Sequence, residues 1–556
     1  MIYAIDKWGD GYFGINESGH VTVSPNRSTL SGDLYNLVKT LVEQGIEAPL
    51  LLRFNGILKN RIDRIENAFK QAIEKFDYRS SHFIAYPIKV NPLKYVVESV
   101  IKSGVRALEV GSKPELLAVV ALPNYDMILC NGYKDEEYIG LAIMAQKLGK
   151  RVIIIIEQII ELKLVLDISK KMGVEAEIGF RMKLSTPGSG KWISSGGEGS
   201  KFGLYTYEIM EALETLHEEN KLGWLKLLHF HMGSQINDID SIRMAIKEAV
   251  RMYTELKKTS PALEFLDVGG GLAVDYEGSH SEDTFSMNYS LEDYADDIIK
   301  EVGAACLKER IPDPIIITES GRAIVSQHAV LITEVIDITQ GASDTNNLSQ
   351  KKQILKEFIE GKKSLQDRAT EEKKLHSDSI QEIYFCNFSV FQSLPDSWAI
   401  DQIFPVMPIH RLNETESVSA ILADLSCDSD GKIDHFIGPS ANIPLHPYTG
   451  EPYYIAIFMV GAYQEVMGGL HNLFGDTNVV QADLDQTGNW NIKSLVEGDT
   501  IEEVLSYVQY NPEELKNQFF ESVEKALKAA LIQAPQAAEL KVHFKKALES
   551  YTYLVK

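Results

Sequence analysis

Short apolar runs alternate with amphipathic segments of helical length between residues 50 and 325. Helical segments include residues 59–76 and residues 238–258, where apolar side chains recur at the helical period. The apolar runs have the length and composition of buried strands. Eight are found, at residues 83–88, 106–110, 127–131, 152–156, 177–182, 225–231, 264–268 and 315–319. Eight strands alternating with helices over this span predict an α/β fold with a closed (β/α)8 barrel.

A doubly wound open sheet is the alternative arrangement of such βα units. That fold commonly carries the dinucleotide-binding pattern G-x-G-x-x-G directly after a strand. No such pattern follows any of the eight strands. The barrel is therefore the favoured interpretation.

The pattern changes on either side of the barrel, and it predicts five regions. Residues 1–48 mix short β-like pieces with turns and form an N-terminal extension that joins a β-rich domain. The barrel spans residues 49–325, and the β-rich domain comprises residues 326–341 and 380–500. The charge-rich stretch 342–379 is predicted to be a helical insertion. Residues 501–556 form a helical C-terminal region, in which a helix begins at Asn511-Pro-Glu-Glu and a break falls near Pro535.

Composition excludes several classes of protein. The chain has 556 residues and a formal net charge of -24, which disfavours a nucleic-acid-binding groove because phosphate backbones are bound by clustered lysine and arginine. No apolar stretch is long enough to cross a bilayer, and the first residues lack a signal-peptide pattern. The four cysteines are scattered and form no C-x-x-C pair, which is typical of free thiols. We therefore expect a cytoplasmic protein with neither a nucleic-acid nor a membrane partner.

Polar residues and glycines follow the predicted strands in register. In a (β/α)8 barrel the active site lies at the carboxyl ends of the strands. The residues found there are Lys89, Glu109, Asn131, Glu157, Arg181, His231, the run Gly269-Gly270-Gly271, and Glu319. This register predicts a catalytic site at one end of the barrel.

Lys89 has the most informative position, because it follows the apolar run that ends at Pro87. A lone lysine is ordinarily a surface charge. At the mouth of a barrel, a partly desolvated amine can instead form a Schiff base with a carbonyl cofactor such as pyridoxal phosphate. The polar residues at the other strand ends favour this second interpretation.

Two glycine-containing turns predict a binding site for the phosphate of such a cofactor. Gly269-Gly270-Gly271 brings backbone close to a ligand, and Glu319-Ser-Gly-Arg322 adds an arginine after the eighth strand. Tight βα turns are the alternative explanation for either motif alone. His231 and Ser234 suit a ring that stacks on a flat cofactor and a hydroxyl that contacts its phosphate. Zinc is disfavoured because the chain has no H-E-x-x-H motif.

A series of motifs resembles one enzyme family. They are Tyr86-Pro-Ile-Lys89-Val-Asn, Glu109-Val-Gly-Ser-Lys-Pro-Glu115, Cys130-Asn-Gly-Tyr-Lys134-Asp, Lys201-Phe-Gly-Leu, His231-Met-Gly-Ser-Gln, Asp267-Val-Gly-Gly-Gly, Glu319-Ser-Gly-Arg and Ser426-Cys-Asp-Ser-Asp-Gly431. In this order they resemble the biosynthetic arginine decarboxylases, which belong to the pyridoxal-phosphate barrel enzymes together with ornithine and diaminopimelate decarboxylases and alanine racemase. The resemblance runs from the first residues nearly to the C-terminus.

The resemblance implies a role for each matched residue. Lys89 would carry the cofactor covalently, His231 would stack on its ring, and Glu319 would pair with the ring nitrogen. The other implied cofactor-binding residues are Ser234, Gly269, Gly270, Gly271, Arg322, Tyr463, Glu109 and Arg181. Cys427 would protonate the substrate carbon after CO2 leaves, while Asp428 and Asp267 would bind substrate. The family further implies Mg²⁺, for which no ligand cluster is evident, and a homodimer as the minimal active unit, expected as part of a homotetramer.

The implied reaction is decarboxylation of L-arginine to agmatine and CO2, at the start of a polyamine (putrescine and spermidine) route. Ornithine decarboxylases carry an acidic residue in the β-rich domain, whereas the comparable string here, Cys386-Asn-Phe-Ser-Val-Phe, has none. This difference favours a guanidinium substrate held by Asp428 with Asp396 or Asp401. The alternatives are decarboxylation of ornithine, lysine or diaminopimelate, a racemase, and a non-catalytic regulatory homologue.

Overall fold

The computed structural model describes residues 2–186, 199–342, 348–377, 380–438 and 441–555. The N-terminal region contains α1 (Ile5–Trp8), β1 (Phe13–Ile15), β2 (Val21–Val23), β3 (Gly32–Asp33) and α2 (Leu34–Glu43), followed by β4 (Leu50–Arg53). Strands β1 to β3 form a small antiparallel sheet. This sheet is bonded to the β-rich part of the chain, since Val21 N donates to Ile409 O and Leu412 N donates to Gly19 O.

Eight parallel strands close into a barrel, which confirms the predicted fold. They are β5 (His82–Pro87), β6 (Ala107–Val110), β7 (Met127–Cys130), β8 (Arg151–Ile156), β9 (Glu177–Arg181), β10 (Leu225–His229), β11 (Phe265–Asp267) and β12 (Ile315–Thr318). Each bound differs from the predicted one by no more than two residues. Buried apolar side chains fill the interior, among them Ala85, Leu129, Ile155, Leu227 and Ile317.

Helices cover the outside of the barrel. They are α3 (Asn55–Lys75), α4 (Lys94–Lys102), α5 (Lys113–Val120), α6 (Glu136–Lys147), α7 (Ile159–Met172), α8 (Thr206–Glu218), α9 (Ile239–Thr259), α10 (Leu291–Glu309) and the short α11 (Gly321–Val325). Several of these helices begin at a side chain that caps the first turn. For example, the Asp238 side chain accepts hydrogen bonds from the first turn of α9, and Ser290 caps α10.

A ten-stranded sheet follows the barrel. Its strands after the barrel are β13 (Ala329–Ala342), β14 (Ile380–Cys386), β15 (Val406–Pro408), β16 (Val418–Ala423), β17 (Lys432–Ile433), β18 (Ile443–Leu445), β19 (Tyr454–Phe458), β20 (Asn478–Leu484) and β21 (Trp490–Val496). Strand β4 also lies in this sheet, where it pairs with β13 and β20. The segment 49–325 predicted as the barrel thus begins with a strand of the other sheet, because β13 and β20 supply the hydrogen-bond partners of β4.

The remaining helices lie in and beyond this region. They are α12 (Leu348–Ile359), α13 (Leu365–Ser377), α14 (Val390–Ser393), α15 (Pro395–Ile400), α16 (Gln464–Met467), α17 (Ile501–Tyr507), α18 (Pro512–Lys528) and α19 (Ala534–Leu548). Helices α12 and α13 lie within the stretch predicted as a helical insertion. Asn511 caps α18, and Pro535 stands in the first turn of α19, as the helix signals indicate.

Candidate active site

A cavity of about 1040 Å³ opens at the carboxyl ends of the barrel strands. Five of the predicted site residues line it, namely Lys89, Glu109, Arg181, His231 and Glu319. Asn131 and His229 line it as well. The barrel therefore brings together residues that are far apart in the sequence, as expected for strand ends of a closed parallel sheet.

Lys89 and Glu109 form an ion pair at the mouth of this cavity. Strand β5 ends at Pro87, and a single 3-10 turn then carries Lys89. The Lys89 Nζ lies 3.0 and 2.9 Å from the two carboxylate oxygens of Glu109, which is fully buried. Removal from water lowers the pKa of Lys89, but Glu109 and Glu319 raise it by more, so the net shift is upward. Burial raises the pKa of Glu109 to about 7, despite the opposing effect of Lys89.

Glu319 is the buried anion of the site. Burial alone would raise the pKa of Glu319, but the neighbouring His229 and Lys89 lower it well below the ordinary value. The Asn131 amide donates to Glu109 Oε1 and to Glu319 Oε1, each at 3.0 Å, and so links the two carboxylates. Asp267 lies beside Glu319, and burial together with the Glu319 charge raises the pKa of Asp267 far above its usual range.

The triple glycine after β11 approaches the site through its backbone. Gly269 has φ +67°, and a Cβ there would lie 2.3 Å from the Phe230 carbonyl oxygen. A Cβ on Gly270 would lie 2.6 Å from the Glu319 carbonyl oxygen. The Gly270 N–H donates to His231 Nδ1 at 3.4 Å. These positions need glycine because side chains would collide with the ends of the neighbouring strands.

The Arg322 guanidinium lies among hydroxyl and aromatic side chains at the end of the barrel. The Arg322 guanidinium lies 3.4 Å from Ser234 Oγ and 3.3 Å from Tyr276 OH. It also lies 4.8 Å from the centre of the Tyr463 ring. Tyr463 is held by its N–H, which donates to Val90 O, one residue beyond Lys89. Three of the predicted cofactor-binding residues, Ser234, Arg322 and Tyr463, thus lie together.

These residues fit pyridoxal phosphate. An amine at the cavity mouth suits its aldehyde, and a buried carboxylate with a lowered pKa suits its ring nitrogen. The glycine loop and the buried Arg322 suit its phosphate. Burial and the nearby Arg181 and Lys89 lower the pKa of His231 well below its ordinary value, so a neutral imidazole faces the cavity.

Arg181 belongs to a buried network of charged side chains. The sequence predicted only some of the members of this network. Its guanidinium pairs with Glu157 at the end of β8. Lys134 is fully buried and lies 3.4 Å from both Glu157 and Glu161. Lys134 stands in a motif, but only the helix α7 packed against β8 brings Glu161 to it. A buried lysine is indistinguishable from a surface lysine when the sequence is taken alone.

The predicted substrate-binding residues do not line this cavity. Cys427 is exposed in the loop after β16 and contacts Asn472, and Asp428 lies 3.7 Å from the His471 ring. Neither lines the cavity that contains Lys89 of the same chain. Asp267 is fully buried and accepts a hydrogen bond from Gly269 N, so its side chain does not face the cavity. Asp396 is also buried and accepts a hydrogen bond from Gln464.

Comparison with known proteins agrees with this geometry. Residues 62–326 match the family described as "Pyridoxal-dependent decarboxylase, pyridoxal binding domain", and residues 501–554 match "Arginine decarboxylase C-terminal helical extension". A curated relative, the biosynthetic arginine decarboxylase of Phocaeicola vulgatus, is 43% identical over 100% of this chain and 98% of its own length. The chain belongs to the biosynthetic arginine decarboxylase family. The enzyme of Thermosynechococcus vestitus, another member, is 42% identical over 100% of this chain and 97% of its own.

Solved structures place this family member in the same fold. The biosynthetic arginine decarboxylase of Campylobacter jejuni matches with a TM-score of 0.88, at 30% identity and full coverage of both chains. Diaminopimelate decarboxylase from M. jannaschii matches with a TM-score of 0.66 at 22% identity, covering 91% of this chain and 99% of its own, and shows the shared fold. Within the described residues, none of the helices combines the length and apolar character needed to cross a bilayer.

The described residues offer one buried group of three candidate metal ligands, His229, Asp267 and Glu319, whose ligand atoms lie within 4.8 Å of one another. Magnesium prefers oxygen ligands and retains several waters in an octahedral arrangement. A buried, imidazole-containing group does not fit that preference. The magnesium requirement implied by the family resemblance therefore finds no matching site among these residues.

Proposed function

We propose that this chain converts L-arginine to agmatine and CO2 with pyridoxal phosphate as its cofactor. The observation that carries the proposal is the Lys89 amine at the barrel mouth, bonded to the buried Glu109 and joined through Asn131 to the anionic Glu319. The full-length relatives named biosynthetic arginine decarboxylase support the choice of substrate. Agmatine is a precursor for polyamine synthesis, and we place the reaction at the start of that route.

When bound, pyridoxal phosphate supplies an electron sink for the carbanion that remains after CO2 departs. Lys89 holds the cofactor aldehyde, and Glu109 accepts the proton that the Lys89 amine must lose before it can act as a nucleophile. The glycine loop, Ser234, Arg322 and Tyr463 would hold the phosphate. His231 stacks on the ring as a neutral imidazole. Because His231 adds no positive charge, the ionised Glu319 determines the charge at the ring nitrogen.

A second copy of the chain would complete the site. Cys427 and Asp428 are exposed, and they lie outside the Lys89 cavity of their own chain. We propose that they reach the cavity of the partner in a homodimer, where the Cys427 thiol delivers a proton to the substrate carbon and Asp428 binds the guanidinium. A homotetramer of two such dimers and a cytoplasmic location complete the proposal. A magnesium requirement is a separate proposal, without assigned ligands.

Decarboxylation of another cationic or diamino acid is the second candidate function. The fold shared with diaminopimelate decarboxylase favours including that substrate, together with ornithine and lysine, in a test. CO2 release from purified enzyme should be measured for each substrate at equal concentration. Arginine should be turned over at least about tenfold faster than the others, since a bidentate carboxylate partner discriminates a guanidinium from an ammonium. Faster turnover of ornithine, lysine or diaminopimelate would overturn the substrate assignment.

The Lys89 variant tests the chemistry itself. In Lys89→Ala both turnover of arginine and the visible absorbance of covalently bound cofactor should disappear, because no other described amine occupies that position in the cavity. Lys102→Ala is the control, since Lys102 is an exposed helix residue paired with Glu98. Retained turnover in Lys89→Ala would refute the proposed function.

A further inference from the structure

His229 is a buried histidine in the cavity wall, and the mechanism described above leaves it without a role. It ends strand β10, two residues before His231, and its side chain is 1% exposed. Neither ring nitrogen has a hydrogen-bond partner among the described residues. The nearest charged atom is Glu319 Oε2, which lies 3.6 Å from His229 Nε2.

Burying an imidazole without full hydrogen bonds is unfavourable, and an aliphatic side chain would fill the same space without that penalty. We therefore attribute the polar ring at this position to an electrostatic interaction rather than to packing. The group with which it interacts is the Glu319 carboxylate. Its Oε1 accepts from Asn131 at 3.0 Å, whereas its Oε2 lies 3.6 Å from His229 Nε2.

Two buried groups lie beside Glu319 in addition to Asn131. Asp267 accepts a bond from Gly269 N, and the Glu319 charge helps to raise the pKa of Asp267. His229 is the other group, whereas Lys89 is bonded to Glu109. His229 and Asn131 thus lie beside different oxygens of Glu319, at 3.6 and 3.0 Å.

We propose that His229 is a positioning residue that orients Glu319 toward the ring nitrogen of the bound cofactor. The proposal rests on the proposed function, because it deepens the role of Glu319 in the same site. In this role His229 acts through Glu319. A transition-metal site formed by His229, Asp267 and Glu319 is the competing explanation. It is disfavoured because Asp267 already accepts a hydrogen bond from Gly269 N.

Two polar replacements of His229 test whether this residue positions Glu319 or only fills space. In His229→Gln the side-chain amide nitrogen stands close to the place of Nε2 and can still donate to Glu319. In His229→Asn the shorter side chain places its amide nearer the Nδ1 position, away from Glu319. We expect kcat to fall about 100-fold in His229→Asn but by less than about fivefold in His229→Gln, with KM within about threefold for both. The visible absorbance maximum of bound cofactor should shift in His229→Asn only.

The control is His446→Asn, since His446 is equally buried but bonds to Tyr453 in the β-rich region. It should leave kcat and the cofactor spectrum unchanged.

In a Glu319→Gln background, His229→Asn should lower kcat by less than about twofold further, because the interaction partner is already neutral. Equal losses in the Asn and Gln variants, or an undiminished effect in the Glu319→Gln background, would overturn the proposal.

Two further outcomes are distinguishable. Cofactor-free enzyme titrated with Co²⁺ alone should show no visible ligand-field band; a band that His229→Asn abolishes would assign the three residues to a metal and overturn the positioning role. If wild-type enzyme fails to decarboxylate arginine, the proposed function fails. The spectral difference between His229→Asn and His229→Gln would still decide the role of His229, because it is read from bound cofactor without turnover.

Discussion

Glu109 and Glu319 lie in one hydrogen-bonded network, yet their surroundings move their pKa values in opposite directions. Burial dominates at Glu109 and raises its pKa to about 7. At Glu319 the positive influence of His229 and Lys89 outweighs burial, so its pKa falls well below the ordinary value. At the scale of single residues, the site therefore separates one carboxyl that can exchange a proton near neutral pH from one that stays charged.

The Glu109 shift predicts how stability depends on pH. Its pKa rises from 4.5 to about 7 on folding, so the folded cofactor-free chain binds more protons between these values. The contribution of Glu109 to stability is therefore present below pH 4.5 and is lost as pH rises through about 7. Glu109→Gln should remove this dependence, so its thermal midpoint relative to wild type should rise between about pH 5 and about pH 7.5. Glu137→Gln, at an exposed position, is the control; parallel pH profiles for wild type and Glu109→Gln would contradict the assignment.

Cysteine exposure leads to a second prediction at this scale. Cys130, Cys306 and Cys386 are buried, and burial raises the pKa of the first two to about 12, whereas Cys427 is exposed. A charged alkylating reagent should therefore modify one thiol of the native chain and inactivate the enzyme, since only an accessible thiolate reacts. Mass spectrometry should locate the label at Cys427, and arginine should slow the reaction. Labelling of any buried cysteine in folded protein would contradict the prediction, as would full activity after modification of Cys427.

At the scale of elements, the ends of the barrel strands were predicted within two residues because alternation of apolar runs and helices is a local signal. The end of one strand in the other sheet depends on the fold. Strand β14 ends at Cys386, and the short helix α14 begins at Val390. Ser389 caps that helix by accepting a bond from Gln392 N, and Asp424 accepts a bond from Val390 N. The cap residue is visible in the sequence, but its partner Asp424 is brought there only by the fold.

The turn after β11 leads to a prediction about cofactor binding. Gly269→Ala should weaken cofactor binding by more than about tenfold, because its Cβ would meet the Phe230 carbonyl oxygen and L side chains rarely adopt its φ of +67°. The cofactor dissociation constant can be measured by absorbance titration. Gly104→Ala is the matched control, since Gly104 also has a positive φ but open space around it. Wild-type affinity in Gly269→Ala would rule out a role for this loop in phosphate binding.

At the scale of the whole molecule, both ends of the chain are bonded to the β-rich part. The C-terminal Leu554 exchanges backbone hydrogen bonds with the Asn387 side chain, and Tyr551 OH donates to Pro49 O. Strand β4 carries the chain from that sheet into the barrel. The exposed Cys427 does not line the cavity of its own chain, so a complete site requires a second chain if Cys427 is catalytic.

Mixed dimers test that arrangement. Lys89→Ala and Cys427→Ala should each lose activity alone. When the two are mixed and allowed to exchange subunits, mixed dimers contain one intact site, and activity should recover to about one quarter of wild type for random C2 pairing. The recovery is measured as CO2 release, with each variant incubated alone as the control. No recovery after demonstrated subunit exchange would place Cys427 in its own chain's site or outside catalysis.

The sequence by itself determined the barrel, the order of its strands and the residues at their carboxyl ends. This was possible because hydrophobic periodicity and strand length depend only on residues that are close together in the sequence. It also determined the family, through motifs that stand in one order along the chain. Only the tertiary structure decided which of those residues interact, since Asn131 and Glu319 are 188 positions apart and share a hydrogen bond. The opposite pKa shifts of Glu109 and Glu319, the burial of Lys134 and Asp267, and the approach of His229 to Glu319 follow from such contacts. They depend on local dielectric and distance, which the order of amino acids does not display.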